Sequence, residues 1–346
     1  MIKFFKKTIR PFVPEKVVVF FRSIFPGKNY TQMGNGDILV LSGLFNNIKL
    51  NCSSRKIILT HPWEIPYKKS KNSKFFECFK NDPNIDLIIN KQEWENKKNN
   101  FVDKDEIFFI FPLDYESFIA SNKWYTKPLY ENNVVVGYDF FKNKKSLMEN
   151  FLTQNKVPLK NLYPKIYFSN NEVLTAEKII KKHNLVNFLC VYPFPNKKNI
   201  TKNWGKENWQ KIIDKTNQYI KEKNLNIKIV YFGTKDQEKL NNVVDLRGKT
   251  SFRESVALVN KSIGVISYNG AGVHVARAVK KPCICICSGV EIKEHIAYPN
   301  DTIVINHKTK CCGCGLYAKC DNGLKCLTKI SPENVFEEVK NHLLNI

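Results

Sequence analysis

The sequence predicts an α/β protein of two successive domains, each organised on a parallel sheet. Three observations predict it. The chain has 346 residues, more than one hydrophobic core usually organises. Short apolar runs alternate with helical patterns, and the alternation occurs twice. The runs are apolar at consecutive positions, as expected of strands covered on both faces.

In the first half the strand-like runs fall at 56–59, 86–89, 107–111 and 134–136. In the second they fall at 188–192, 227–232, 263–266 and 283–286. Helical patterns lie at 206–223, 251–260 and 271–280. In the first of these Trp209, Ile212, Ile213, Thr216 and Ile220 share a face. Ser331-Pro332-Glu333-Asn334 supplies an N-cap, a proline at the first helical position and an acidic first turn, so 331–346 is expected as a terminal helix. The polar, helix-like stretch 172–184 is expected as the linker between a first domain over 31–171 and a second over 185–330.

Composition is globular: 43% hydrophobic and 25% charged residues, with 15 Gly and 15 Pro, exclude a fibrous or disordered chain. No apolar run reaches the 18 residues of a membrane span, and no secretory signal stands at the start. The expectation is a cytoplasmic protein. Its formal charge of +23 favours anionic partners, but no nucleic-acid motif accompanies it. Residues 1–30 mix seven basic side chains with bulky apolar ones. That pattern suits either an anionic membrane surface, with the protein peripheral on the inner face of the cytoplasmic membrane, or an N-terminal helix packed on the protein. Pro11 and Pro14 break any single long helix there.

Four stretches could carry chemistry. Met33-Gly34-Asn35-Gly36-Asp37 precedes an apolar helical run to Leu50. Asp37 there is either a helix cap or a carboxylate placed as general base. The loop after 188–192 runs from Tyr192-Pro193-Phe194-Pro195 to Trp204 and contains Lys197, Lys198 and Lys202. It lies where ligands sit in open α/β sheets, or is a solvated basic loop. Ser267 to His274, Ser-Tyr-Asn-Gly-Ala-Gly-Val-His, joins a strand to a helix through small residues. Backbone N–H groups at Gly270, Ala271, Gly272 and Val273 would offer a pyrophosphate site at the positive helix end. Finally, Cys311, Cys314, Cys320 and Cys326 are spaced C-x2-C-x5-C-x5-C. That set could supply four soft ligands to a structural zinc or iron, or remain free thiols or a disulfide. Cys283, Cys285 and Cys287 alternate within a strand pattern and are expected as small packing residues.

These stretches together resemble the heptosyltransferase family, glycosyltransferase family nine. The resemblance covers about 185–340. It rests on Lys202-Asn203-Trp204, on the Gly233 turn followed by acidic residues, and on Asp245 to Glu254 (Asp-Leu-Arg-Gly-Lys-Thr-Ser-Phe-Arg-Glu). It extends to the box from Ser267 to Ala276, the Cys-rich loop and the Ser331-Pro332-Glu333 helix start. It implies a GT-B fold, two Rossmann-like domains with a cleft between them, the acceptor on the first and a nucleotide-sugar donor on the second. It further implies inverting sugar transfer without a cofactor for the chemistry. ADP-heptose is the simplest donor, and a lipopolysaccharide, capsule or protein the acceptor. Asp37 would be the base. Lys202, Asn269 and Gly270 to His274 would bind the donor, with Gly233 and Arg247 near the nucleotide base. Asn269 stands where the family usually has Asp. That leaves a non-catalytic nucleotide-sugar or glycan-binding module as the alternative.

Overall fold

The computed structural model describes residues 18–20, 35–54, 56–60, 78–89, 106–110, 134–135, 145–146, 148–149, 152, 157–197, 199–296, 298, 301–317 and 319–345. They fall into two compact units. One holds most of the chain up to Tyr163; the other takes in Pro164–Ile346 together with Gly34–Leu39.

The first unit is built on five described strands: β1 (Val18–Phe20), β2 (Lys56–Thr60), β3 (Leu87–Ile89), β4 (Glu106–Ile110) and β5 (Val134–Val135). All pair in parallel, in the order β3-β2-β4-β1-β5. Four match the expected runs. β1 corrects the expectation for 1–30. Of that segment only Val18–Phe20 is described, and it is an inner strand hydrogen-bonded to β4 and β5. Val18 and Val19 are β-branched, the residue type that favours strands.

The helix Asn35–Asn51 follows the Gly-Asp element. Leu39, Val40, Leu41, Leu44, Phe45 and Ile48 are all buried, so it is apolar around most of its circumference. Phe45 meets Phe79 edge-on at 5.1 Å. A Cβ at Gly43 would lie 2.8 Å from the Tyr163 carbonyl oxygen, so this position requires glycine. Buried Asn47 uses all four of its hydrogen-bonding positions. Its amide donates to Gly43 O (2.8 Å) and Asn161 O (2.6 Å), and its Oδ1 accepts from the N–H groups of Lys160 (2.7 Å) and Asn161 (2.8 Å).

The second unit contains β6 (Asn187–Tyr192), β7 (Ile227–Tyr231), β8 (Val244–Asp245), β9 (Gly264–Tyr268), β10 (Cys283–Cys287) and β11 (Thr302–Asn306). All pair in parallel, in the order β8-β7-β6-β9-β10-β11. Counted within the unit this is 3-2-1-4-5-6, the doubly wound arrangement of dinucleotide-binding sheets. β10 is buried along its whole length, as its consecutive apolar residues require, and burial pushes the Cys283 thiol up to about 12. The core gathers Trp209, Ile212, Ile213 and Ile220 from the helix Lys206–Glu222 with Val335, Val339 and Leu343 from the terminal helix Pro332–Leu344. Trp204 meets Trp209 edge-on at 5.6 Å and donates its indole N–H to Ile330 O at 3.0 Å. It is therefore part of the core, although the sequence placed it in a ligand loop.

The stretch expected as a linker, 172–184, is instead part of the helix Asn170–His183 in the second unit. Ser169 and Glu172 form a capping box at its start. Glu172 then pairs with buried Arg253 of the helix Phe252–Lys261, Nη2 to Oε2 at 3.0 Å and Nε to Oε1, while Arg253 also donates to Tyr167 O. The stretch looked like a linker because a helix lying on a sheet needs only one narrow buried stripe. Here that stripe is little more than Ala176 and the clamp.

Burial would raise the Glu172 carboxyl, but Arg253 and the Ser169 hydrogen bonds bring it down from an ordinary 4.5 to about 2. Its folded pKa lies below its unfolded one, so the clamp stabilises fully above about pH 4.5 and is lost as pH falls toward 2. After allowing for solvent screening it should contribute about 1–2 kcal/mol. Urea unfolding of the parent and Glu172→Gln should differ by that amount at pH 6.5. The gap should shrink steadily between pH 4.5 and 2; a pH-independent gap would show that Arg253 is not the cause.

Candidate active site

Strand order dictates where a site can form. Between β6 and β9 the order reverses, so the connections leaving their carboxyl ends turn to opposite faces of the sheet and leave a crevice. β6 ends at Tyr192 and β9 at Tyr268. The two stretches singled out in the sequence, 192–204 and 267–274, therefore leave the sheet at the same place.

After β9 come Asn269, Gly270 and the helix Ala271–Ala278. Gly272 packs the helix on the strand. A Cβ there would lie 2.5 Å from Ser267 Oγ and 2.8 Å from the Tyr192 ring. Gly270 lets the backbone pass the Tyr268 ring, 2.4 Å from where its Cβ would be. The Val273 N–H bonds Gly270 O at 3.1 Å, which leaves the N–H groups of Ala271 and Gly272 as the helix end to present to an anion. Gly36 belongs to this same compact unit. A Cβ on it would come within 2.9 Å of Ala271 Cα and of the His274 ring. Asp37 is the next residue, in the first turn of its helix, but its side chain lies outside the described ones.

His274 is buried, and its Nδ1 pairs with the Tyr298 hydroxyl at 2.8 Å. Burial first, with Lys202 adding to it against Glu291, lowers its pKa to about 4. At neutral pH it is an uncharged ring that holds the start of the helix.

Lys202 departs most from expectation. It closes a short 3₁₀ turn, Ile200–Lys202, and its side chain is only 8% exposed. The ammonium donates to Glu291 Oε2 (2.8 Å) and Asn269 O (3.1 Å) and lies 5.0 Å from the centre of the Tyr317 ring. Glu291 also accepts from Asn269 Nδ2 (3.0 Å) and the Tyr317 hydroxyl (2.7 Å). Asn269 is fully buried, and its Oδ1 accepts the Ser288 N–H at 3.2 Å. Burial raises the Glu291 carboxyl, but Lys202, Tyr317 and Asn269 outweigh this and bring it below its ordinary value. Beside Glu291 opens a pocket of about 160 Å³ lined by Ser288, Lys293, His307, Thr309 and Cys312. It is smaller than the roughly 300–1,000 Å³ of whole small-molecule sites, so it has room for part of a ligand only.

Gly233 and Arg247 stand at the ends of β7 and β8. Gly233 makes room for Gln237, whose amide donates to Phe194 O at 2.7 Å. Arg247 binds Asp245 through Nε (2.9 Å) and Nη2 (2.7 Å), donates to Gln237 O and lies 5.1 Å from the Tyr231 ring centre. Both shape the wall of the crevice on the β7 side.

Residues 157–320 match the family model of glycosyltransferase family 9 (heptosyltransferase). They form a family 9 glycosyltransferase domain. Glycosyl transfer is the activity that this heptosyltransferase-like domain supports. Its fold is similar to that of a family 9 glycosyl transferase from Veillonella parvula, at 16% identity and TM-score 0.65, over 98% of this chain and 99% of the other. It is also similar to the ADP-heptose lps heptosyltransferase II of E. coli, at 15% identity and TM-score 0.60, over 95% and 99%. These likenesses establish the GT-B class of fold, with a parallel sheet in each unit. No curated protein matches the sequence.

Two residues of the family 9 domain's site escaped the sequence reading, Glu291 and Tyr317. Glu291 sits in an unremarked loop after β10, and Tyr317 is enclosed by the cysteines that drew attention instead. The cysteine loop is fastened around Gly289 and Thr201. Gly313 N–H bonds Gly289 O (2.8 Å), and Thr201 Oγ1 donates to the carbonyls of Leu316 (2.7 Å) and Tyr317 (2.8 Å). The metal set expected from Cys311, Cys314, Cys320 and Cys326 is not assembled: among the described residues no three His, Cys, Asp or Glu side chains are arranged to hold a metal ion. The thiols face different partners. Exposed Cys311 meets Thr309 (3.3 Å) and Asn322 (3.6 Å), Cys314 points at Gly289 O (3.8 Å), and Cys326 is buried against Gly289 beside Cys312. What the loop does is carry Tyr317 to Glu291.

The His274 assignment has a pH signature. Its folded pKa lies below its unfolded 6.5, so the unfolded chain takes up the proton first and stability falls as pH drops from 6.5 toward 4. The full effect is about 3 kcal/mol. Unfolding curves of His274→Gln measured at pH 7.5 and 4.5 should lack this part of the pH dependence; an identical slope would mean that the ring is protonated in the folded protein.

Proposed function

We propose that the chain is an inverting transferase that moves a sugar, most simply heptose from ADP-heptose, onto a lipopolysaccharide, capsule or protein acceptor. One observation carries the reading: small-residue backbone at a helix N-terminus opens at the sheet's switch point, where a diphosphate meets N–H groups and the positive end of the helix. The ADP-heptose specificity named for the E. coli neighbour supports the choice of donor.

In the proposed step Asp37 takes the proton of an acceptor hydroxyl as that oxygen bonds to the anomeric carbon. The bond from that carbon to the diphosphate breaks, and the nucleoside diphosphate leaves with the electron pair. Charge grows on the leaving oxygen, so donors aimed at it are worth more in the transition state than in the bound substrate. The N–H groups of Ala271 and Gly272 take this role, with Asn269 and neutral His274 holding the turn. The place of Asp37 is supported by its neighbour Gly36, which lies against Ala271 and His274. The nucleotide base is assigned to the crevice wall at Gly233 and Arg247. We place the reaction on the cytoplasmic side of the membrane, where a charge of +23 would favour an anionic lipid-bearing surface. No described helix is long and apolar enough to cross a membrane.

A thermal-shift panel of nucleotide sugars tests the donor. ADP-linked sugars should stabilise the protein by a few degrees at 100 times their Kd, roughly 2.7 kcal/mol, while UDP- and GDP-linked sugars should not. Asp37→Ala should lower transfer by about 10²-fold or more and leave ADP-sugar binding nearly intact. Undiminished turnover in that variant would remove Asp37 from its role, and binding without transfer to any acceptor would favour the non-catalytic module.

A further inference from the structure

The pocket beside Glu291 lies apart from the turn at Gly270. It opens at the carboxyl ends of β10 and β11, between the loop that starts at Ser288 and the cysteine loop. The two loops are pinned together: Gly313 N–H bonds Gly289 O (2.8 Å) and Gly315 N–H bonds Val290 O (3.0 Å). On the β11 side Thr309 O accepts the Cys312 N–H at 3.1 Å. The walls are therefore held by backbone bonds before any ligand enters. Ser288 is 1% exposed, and its hydroxyl is buried with no hydrogen-bond partner among the described residues. Its main chain is already used, the N–H by Asn269 Oδ1 and the carbonyl by the Cys287 thiol at 3.4 Å. A buried hydroxyl left unpaired is costly, so a ligand that completes it binds with gain. Charge in the lining is one-sided. Glu291 is balanced by Lys202 at 2.8 Å. The other acid, Glu294, is outnumbered by Lys293 and Lys308, and no described acid pairs with either lysine. His307 adds a ring that carries an N–H in either tautomer.

We propose that this pocket is a phosphate site, with the buried Ser288 hydroxyl and the exposed Lys293 and Lys308 ammonium groups as its donors. The phosphate is free or carried on a sugar. Two unpaired ammonium groups and a hydroxyl suit a phosphate monoester, which brings a charge of about −1.5 to −2 and three acceptor oxygens at neutral pH. A single carboxylate would leave donors unused, and a neutral group would leave the lysines unmatched. The site is distinct from the donor's diphosphate, which is assigned to the Ala271 and Gly272 N–H groups; this distinction rests on the donor-site reading given above.

Calorimetry on the full chain at fixed ionic strength tests this, with inorganic phosphate, glucose 6-phosphate and glucose as titrants, each with and without saturating ADP. Both phosphates should bind at a single site and glucose should not; the tighter of the two shows whether free or sugar-borne phosphate is the better occupant. Lys293→Ala combined with Lys308→Ala should weaken phosphate binding about tenfold or more, and Ser288→Ala about threefold or more, because charge-assisted hydrogen bonds are lost. A control, Lys211→Ala combined with Lys221→Ala, removes the same charge from exposed positions of the Lys206–Glu222 helix. It should leave phosphate affinity within about twofold of the parent, since exposed charges at a distance are screened. An equal loss in the control and in the Lys293/Lys308 variant overturns the proposal, because the general positive charge would then draw the anion. So does absence of phosphate binding, or unchanged affinity in Ser288→Ala. Saturating ADP should change phosphate affinity by less than about threefold. Abolition of phosphate binding by ADP overturns the proposal, since the anion would then sit on the donor turn. If ADP does not bind at all, the donor-site reading fails on its own, and the variants still decide the pocket. Lys293 and Lys308 are exposed, so their removal leaves a folded protein to measure even if Ser288→Ala does not fold.

Discussion

The second unit depends on one constraint: in a parallel sheet built from right-handed crossovers, a chain that starts in the middle and winds first one way and then the other must leave a gap where it turns back. Here the gap falls between β6 and β9. The gap sets where a ligand can sit, and the residues beside it must then satisfy two opposed demands. Backbone N–H groups have to be left exposed to a ligand, and the loops bearing them have to be stiff. Gly270 and Gly272 meet the first by bringing strand and helix into close contact. A buried network around Glu291 meets the second. Flexible loops would spend binding energy on being ordered, so a turn held in place beforehand makes each hydrogen bond to the ligand worth more.

Much of the fold was legible because its signals are local. Every strand run expected in the second half corresponds to one of β6, β7, β9 and β10, and the Ser331 cap with Pro332 marked the last helix. β11 was missed: Thr302–Asn306 is an edge strand with only Thr302 buried, and its alternation is too short to stand out. β1 was missed for a different reason. Lys and Arg on both sides of Val18–Phe20 masked a run whose identity is set by pairing with β4, nearly ninety residues away in sequence. Pairing of that kind leaves no local trace. The helix Asn170–His183 left a local helical pattern, but its place in the second unit rests on a distant partner, Arg253.

The site was legible at its glycines and opaque at its charges. Glycine spacing reports a steric demand of the backbone itself, so the strand-to-helix turn at Gly270 and Gly272 is readable in the amino-acid sequence. Charged residues carry no such mark. Arg253 and Glu254 sit in a stretch that resembles a functional motif, yet the first clamps Glu172 and the second completes a capping box with Ser251. Lys202 looked exposed because it ends a basic loop, but the cysteine loop, fastened to Thr201, brings Tyr317 over it. In each case the partner lies tens of residues away or more, or the role is capping, and residue type alone does not separate these from ligand binding.

Asn269 shows how such partners constrain one another. The position must accept a hydrogen bond from the Ser288 N–H and donate one to Glu291, and an amide does both with one side chain. A carboxylate there could accept from Ser288 but would set a second negative charge against Glu291, with the single Lys202 ammonium bonded to both residues. Like charges sharing one buried counter-ion cannot both ionise cheaply. An acid at 291 and an amide at 269 are therefore a matched choice. The asparagine that departs from the family's usual aspartate need not mark a decayed site. In this chain Asn269 and Glu291 hold the turn together, the amide through Ser288 and the acid through Lys202.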